Sequence, residues 1–370
     1  MTDSTITTKP NTEDAYRPIL TVDRNAICHN FKMLSPEKDG ARGAAVLKAD
    51  AYGSGAAPVA EALTQRANCR LFYVVHPHEG AEIRKATQSH SPDAVICVLG
   101  GPTPEALSTL QASRLTPVLN TLQQCQFWRE AGAGAPAALH LDTGMRRLGL
   151  PLSDCSTVAA IDDFNIDTVI SHLVSSDAPE ETINERQYTA FKEAASLFPN
   201  AKQSLSATGG ALLGPQFGLD FTRPGIGLYG VDPAARARGD LKTAGTLSAE
   251  VLQVQSVAAG ERVGYDGVFE ATRHTNVATI AMGYADGYPR AISTEATAYL
   301  GGALCPIIGR ISMDLITIDV TDAPEPVRPG DRAELFGPRI DLLTLSAWAG
   351  TIPNEVLTRL GGRVVRHYAN

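Results

Sequence analysis

Ala44-Ala45-Val46-Leu47-Lys48-Ala49-Asp50-Ala51-Tyr52-Gly53 is the stretch on which the fold of this chain is decided. A short apolar run, long enough for one buried strand, ends on a lysine; a turn closing on glycine follows, and then a helical pattern over residues 57–66. Repeated along a chain, that order of strand, loop and helix builds βα units around a parallel sheet. Seven further runs of the same kind cover residues 71–75, 94–99, 115–119, 137–141, 166–173, 203–206 and 224–229. Between them, apolar residues three and four apart predict helices over 79–86, 104–112, 122–131 and 185–197. Eight such units predict an α/β fold, a (β/α)8 TIM-type barrel, occupying residues 16–238.

The texture changes after Val231. Residues 232–239 are rich in Pro, Gly and Arg, and beyond them β-branched alternating segments prevail with hardly any helical pattern. A second, β-rich C-terminal domain is expected over 239–370, with strands at 247–257, 277–281, 303–308 and 315–320. Residues 16–24 precede the first barrel helix and are expected to pair with this domain. Residues 1–15 are polar and Thr-rich and read as a flexible tail.

Composition narrows the class. A chain of 370 residues with 44% hydrophobic and 19% charged residues is ordinary for a soluble protein of two domains. No apolar run approaches the ~18 residues that cross a bilayer, and the start has no apolar signal region, so a cytoplasmic protein with no membrane partner is expected. The net charge of −8, without a Lys/Arg cluster, argues against a nucleic-acid partner. Cys28, Cys69, Cys97, Cys125, Cys155 and Cys305 lie far apart without a CxxC pair. Buried free thiols are expected, and no metal site.

Lys48 sits at the C-terminal end of the first barrel run, the face where barrels of this type place their active sites. An amine among apolar neighbours there has its pKa lowered and can condense with an aldehyde. Thr208-Gly209-Gly210 follows the seventh run, and Arg223-Pro224-Gly225-Ile226-Gly227 opens the eighth. Those are the loops where such barrels bind phosphate on exposed backbone amides. A lysine on strand one with a phosphate cradle at strands seven and eight describes a site for pyridoxal 5′-phosphate.

Several segments resemble the alanine racemase family in that family's order. They are residues 45–55 around Lys48, Leu141-Asp142-Thr143-Gly144-Met145-Arg146-Arg147-Leu148-Gly149, residues 223–230 from Arg223 to Gly230, Val263-Gly264-Tyr265-Asp266-Gly267, Gly283-Tyr284-Ala285-Asp286-Gly287-Tyr288-Pro289-Arg290 and Gly309-Arg310-Ile311-Ser312-Met313-Asp314. The resemblance implies a racemase of small amino acids, alanine first, in which Lys48 and Tyr265 are the two bases on opposite faces of the α-carbon. It implies that Tyr52, Thr208 and the amides of Gly225 and Ile226 hold the cofactor phosphate, and that Arg223 donates to the ring nitrogen. A guanidinium cannot give up its proton, so it keeps that nitrogen unprotonated, which suits racemisation better than decarboxylation. Arg147 is implied to contact the cofactor's phenolic oxygen and the substrate carboxylate, His172 to bond the tyrosine base, and Met313 and Tyr284 to line the substrate site. A homodimer with shared active sites is implied as well, because the family's tyrosine base reaches the neighbouring subunit's cofactor.

Some positions depart from the family pattern. His140 stands where many members carry a lysine that becomes carbamylated and steadies the arginine corresponding to Arg147. Ala207 replaces an asparagine, Thr208 a serine, and Asn354 a tyrosine that narrows the substrate entrance. A serine or broad-specificity racemase is therefore the alternative within the family. A decarboxylase of the same architecture is disfavoured by Arg223, and a non-catalytic cofactor carrier by the presence of Tyr265.

Overall fold

The computed structural model describes residues 15–37, 43–161, 163–234, 240–292 and 294–370. The expected tail therefore lies, up to residue 14, outside the described residues, as do residues 235–239 of the Pro/Gly/Arg-rich stretch. Contacts divide the chain into two units. One holds Asp23–Ala244 with Tyr368–Asn370, and the other holds Gly245–His367 with the described residues up to Val22.

Strand β1 (Ile19–Asp23) opens the chain and belongs to the second unit's sheet, where residues 19–22 pair antiparallel with residues 245–248. Asp23 then caps the helix Arg24–Leu34, its carboxylate accepting from the Ala26 amide at 2.9 Å. The barrel follows with β2 (Ala45–Val46), β3 (Leu71–Val74), β4 (Val95–Val98), β5 (Thr116–Leu119), β6 (Ala137–Asp142), β7 (Leu150–Pro151), β8 (Ile166–Ile170) and β9 (Lys202–Ser204). The parallel order is β2-β3-β4-β5-β6-β8-β9, with β7 attached to the end of β6. Helices Ala56–Ala67, Pro77–Thr87, Leu107–Ala112, Leu122–Ala131 and Ile183–Ala195 occupy the positions given by the apolar spacing. Tyr73, Cys97, Val118, Ala138, Ile170 and Phe221 meet as one buried cluster contributed by successive strands, the layered filling expected of such a barrel.

The eighth strand is not the run 224–229. Ile226–Tyr229 coils as a 3-10 turn, because Pro224 offers no amide for a ladder, Gly225 permits a tight approach to Tyr52 and Gly227 one to Thr208. The segment one step earlier closes the barrel. Asp220 and Arg223 donate to the Gln203 and Ser206 carbonyls, while Thr222 and Pro224 accept from the Ala44 and Val46 amides at 2.8 and 2.9 Å.

The second unit is built on the thirteen-residue strand β10 (Gly245–Val257). After it come β11 (Arg262–Val263), β12 (Phe269–Glu270), β13 (Thr275–Ile280), β14 (Thr297–Leu300), β15 (Ala303–Ile308), β16 (Ile316–Asp319), β17 (Arg332–Phe336) and β18 (Val365–Ala369). The order β13-β16-β15-β14-β17-β10 returns to β13, so these strands close on themselves as an antiparallel barrel, extended beyond β10 by β1 and β18. A register shift between Val251 and Gln253 lets β10 pair with β17 along its first half and β13 along its second. Leu247, Ala249 and Val251 alternate inward with half-exposed polar neighbours, the signature of a one-sided strand. The helices Leu342–Trp348 and Pro353–Thr358 correct the expectation of hardly any helix here. Both are shorter than two full turns, too short for an apolar period to show.

Fully buried Asn30 stitches the first helix to the end of the barrel unit. It donates to the Leu228 and Lys242 carbonyls at 3.0 and 2.8 Å and accepts from the Lys242 amide at 2.7 Å. Asn30→Ala should cost the barrel roughly 2 kcal/mol, the scale of one or two buried groups losing their partner, read as a lower denaturant midpoint. An unchanged midpoint would contradict this reading.

Candidate active site

Because the barrel strands are parallel, the loops at their C-terminal ends form one rim. Lys48 and Tyr52 follow β2, His140 and Arg147 lie at and beyond the end of β6, and His172 follows β8. Thr208 follows β9, and Gly225 and Ile226 follow the closing segment. The structure thus brings together all the barrel residues singled out in the sequence.

The backbone after Lys48 is unusual. Ala49, Asp50, Ala51 and Tyr52 all take left-handed helical angles, with φ of 54°, 53°, 52° and 56°. Each such residue costs on the order of 1–2 kcal/mol, so the turn persists only where its surroundings impose it. The Leu47 carbonyl accepts from the Ala51 amide at 2.9 Å, the Asp50 carbonyl from Gly55 at 3.0 Å, and the Asp50 carboxylate from Ala56 at 2.6 Å. Tyr229 donates its hydroxyl to the Ala51 carbonyl. The Glu79 carboxylate accepts from the Ala49 amide at 2.6 Å. The turn places the buried Tyr52 ring 5.4 Å from that of Tyr229, with its hydroxyl against the Cα of Gly225, where any β-carbon would clash.

Thr208 and Arg223 complete this side of the rim. The Thr208 hydroxyl oxygen accepts from the Gly225 and Gly227 amides at 3.2 and 3.0 Å, so these N–H groups converge on one point. Arg223 is buried, with its guanidinium donating to the Ser171 carbonyl and, at 2.7 Å, to that of Ser204. Its remaining face lies 5.9 Å from the Tyr73 ring centroid, so dipoles and a π-face hold this cation in place.

Two histidines of the rim are kept uncharged. Burial, reinforced by Arg223 and Arg147, pushes His172 down to about 3 and His140 to about 4, with Asp142 opposing the latter shift. The amide nitrogen of Asn120 donates to the Leu99 and Val118 carbonyls at 3.1 and 2.9 Å, so its oxygen can only accept. His140 Nδ1, 2.9 Å from that oxygen, must then carry the proton, leaving Nε2 as a bare acceptor. Burial first, then Arg147, lowers the pKa of Lys48, while Glu79 partly restores it. Arg147 itself is exposed, on a loop folded by the Asp142 carboxylate accepting from Gly144 and Arg146. Buried Gln187 ties the neighbouring loops, donating to Thr143 and the His172 carbonyl and accepting from Val174. Glu79, Asn120, Gln187, Ser171 and Ser204 were not read from the sequence. Of these, only Glu79, three residues after a helix N-cap, carried a local signal.

Tyr265, Tyr284, Met313 and Asn354 lie in the second unit. Tyr265 caps the hairpin of β11 and β12 and is 70% exposed, its loop held by Asp266 pairing with Arg310 at 3.1 Å. The Tyr284 and Met313 loops are laced together. Tyr284 and Ala285 donate to the Ser312 and Met313 carbonyls at 3.1 and 3.0 Å, and Gly283 leaves no room there for a β-carbon. Arg363 bridges the loops, pairing with Asp286 at 2.9 Å and Asp314 at 2.8 Å. Asn354 is half-buried on the helix Pro353–Thr358.

Two family models match the chain: alanine racemase, N-terminal domain, over residues 22–233, and alanine racemase, C-terminal domain, over 244–368. The alanine racemase of Acidiphilium cryptum is 42% identical over 94% of this chain and 98% of its own length, and that of Rhodospirillum rubrum is 40% identical over 96% and 97%. Among solved structures, alanine racemase from Bartonella henselae with covalently bound pyridoxal phosphate is similar, with a TM-score of 0.88 and 36% identity over 95% of this chain and 99% of that one. The biosynthetic alanine racemase of Pseudomonas aeruginosa matches with a TM-score of 0.84 and 32% identity over 96% and 99%.

Neutral imidazoles at this rim should be visible in solution. Across the range from about pH 5 to 8, where histidines ordinarily titrate, NMR of the ring carbons should show no titration from His140 or His172. Because burial depresses both values, the stability they contribute is complete above the ordinary histidine pKa. It is lost as pH falls through about 4 and then about 3. A midpoint near neutrality for either ring would contradict the electrostatics described.

Proposed function

The chain belongs to the alanine racemase family, and on that premise we propose that it interconverts L- and D-alanine with pyridoxal 5′-phosphate, Lys48 carrying the cofactor and, with Tyr265, moving the α-proton. The observation that carries this reading is a single rim holding an amine of lowered pKa, converging Gly225 and Gly227 amides and a fully buried guanidinium.

The residues fit the cofactor. The Thr208 and Tyr52 hydroxyls and the amides around Gly225 and Ile226 suit a phosphate, and the missing side chain at Gly225 is what lets the Tyr52 hydroxyl stand beside those amides. Tyr52, pushed by burial up to about 12, remains a hydroxyl donor. Arg223 supplies a permanent donor for the ring nitrogen, which it leaves unprotonated. When bound, the cofactor supplies the electron sink that lets an α-proton leave an amino acid.

The chain's own groups then divide the work. Lys48 takes or returns the proton on one face, its pKa lowered by burial and by Arg147. Tyr265 of a second copy in a homodimer serves the other; its exposure and its place in the Gly264-Tyr265-Asp266 motif support this. His172 bonds the tyrosine, Arg147 and the Met313 amide of that second copy hold the substrate carboxylate, and the second copy's Tyr284 lines the entrance. With Nε2 an acceptor, His140 steadies Arg147 where a carbamylated lysine does so in other members. Six buried free cysteines support a reducing, cytoplasmic setting, and among the described residues no helix is long and apolar enough to cross a membrane.

Asn354 favours a second substrate. A half-buried amide in place of a phenol widens the entrance and offers a partner to a β-hydroxyl, which favours serine by roughly two- to tenfold, the ~0.5–1.5 kcal/mol of one net hydrogen bond. Two variants test these assignments. Tyr265→Phe should keep its cofactor spectrum and lose roughly 10²–10⁴-fold in racemisation rate, the worth of a positioned acid–base group; unchanged rates in both directions would remove Tyr265 from the mechanism. Asn354→Tyr should lower the serine-to-alanine ratio of kcat/KM, and a level or rising ratio would sink the serine reading.

A further inference from the structure

Glu79 stands outside every role assigned so far, yet it is nine-tenths buried and touches the segment that aims Lys48. One oxygen accepts from the Val75 and His76 amides at 2.9 Å each, the ordinary capping of the helix Pro77–Thr87. The other reaches out of its own βα unit to the Ala49 amide at 2.6 Å, the first residue of the left-handed turn. Capping needs only the first oxygen. The second joins the loop after β3 to the residue that follows Lys48, at the point where four non-glycine residues hold positive φ.

The carboxylate is also the negative group among the charges facing the Lys48 amine. Arg147 approaches from the loop after β6, His172 from the end of β8 is neutral, and Tyr52 is a neutral phenol. Resting on the reading of Lys48 as the cofactor-bearing lysine, we propose that Glu79 is a positioning residue: it clamps the Ala49 amide, fixing the turn that aims Lys48, and supplies the negative charge that balances Arg147 beside the same amine. A plain helix cap would do the first turn of its own helix a service and leave Lys48 chemistry untouched.

Two readouts on the full-length holoenzyme separate these roles. The visible absorption band has a pH midpoint that follows protonation of the Lys48 nitrogen, and amide hydrogen exchange at Ala49 reports the clamp. In Glu79→Gln the midpoint should move to lower pH, because a charge favouring the protonated nitrogen is gone. Ala49 exchange should quicken by about two- to tenfold, the worth of one hydrogen bond. Glu79→Asp keeps the charge but shortens the reach, so its midpoint should stay near the parent's while Ala49 still exchanges faster. A midpoint that stays or rises in Glu79→Gln, or Ala49 exchange unchanged in both variants, overturns the proposal. Should Glu79→Gln fail to fold, the parent decides the clamp: exchange of Ala49 at the open-chain rate overturns it. A parent chain with a protected Ala49 but no visible band would overturn the cofactor assignment and still support the clamp.

Discussion

Two backbone hydrogen bonds, from the Ala44 and Val46 amides to the Thr222 and Pro224 carbonyls, join the first barrel strand to the last. Without that seam the sheet would be open, and Lys48 and Gly225 would lie at opposite edges of it. With the seam made, the end of β2 is the neighbour of the closing segment, and Lys48, Tyr52, Arg223 and Gly225 share one corner of the rim. A sequence separation of 178 residues becomes contact between Ala51 and the Tyr229 hydroxyl. Everything chemical in the barrel unit follows from parallel strands that all end on the same side.

The electrostatics of that corner are set by what surrounds its cations. Arg223 is held by the carbonyls of Ser171 and Ser204 and by the Tyr73 ring. Burial acts first on the groups nearby; the charges of Arg223 and Arg147 add to it at both histidines, and that of Arg147 at Lys48. Two histidines are driven neutral, and the Lys48 amine is drawn toward its free-base form. A lysine intended for ion pairing would be surrounded by carboxylates; among the described residues the one that bears on Lys48 is on Glu79, and it is bound to three backbone amides.

Most of the fold was legible because buried parallel strands are short apolar runs and their helices carry a period near 3.6. The eighth run misled because burial does not distinguish a strand from a coiled turn. Ile226, Leu228 and Tyr229 are as buried as strand residues, whereas the true closing segment includes the charged Asp220 and Arg223. In the second unit β14 and β17 escaped notice since their alternation runs for only four and five residues, too short to stand out. The residues of the rim were legible through motifs. Those that orient them were not: Asn120 and Gln187 act through several polar contacts each and Ser171 and Ser204 through carbonyls that accept from Arg223, and nothing in the local sequence records a hydrogen bond to a residue elsewhere in the fold. The left-handed turn at 49–52 was equally silent, because Ala-Asp-Ala-Tyr carries no glycine until its end.

A racemase exchanges the α-proton of its amino acid from both faces and leaves the carboxylate in place. The most direct measurement follows L-alanine and, separately, D-alanine in deuterated water with the holoenzyme by proton NMR and a chiral assay. Deuterium should enter the α-position of the opposite enantiomer from either start, at a constant total of alanine. Loss of the carboxylate as carbon dioxide, or an α-proton that never exchanges in a cofactor-loaded chain, would contradict it.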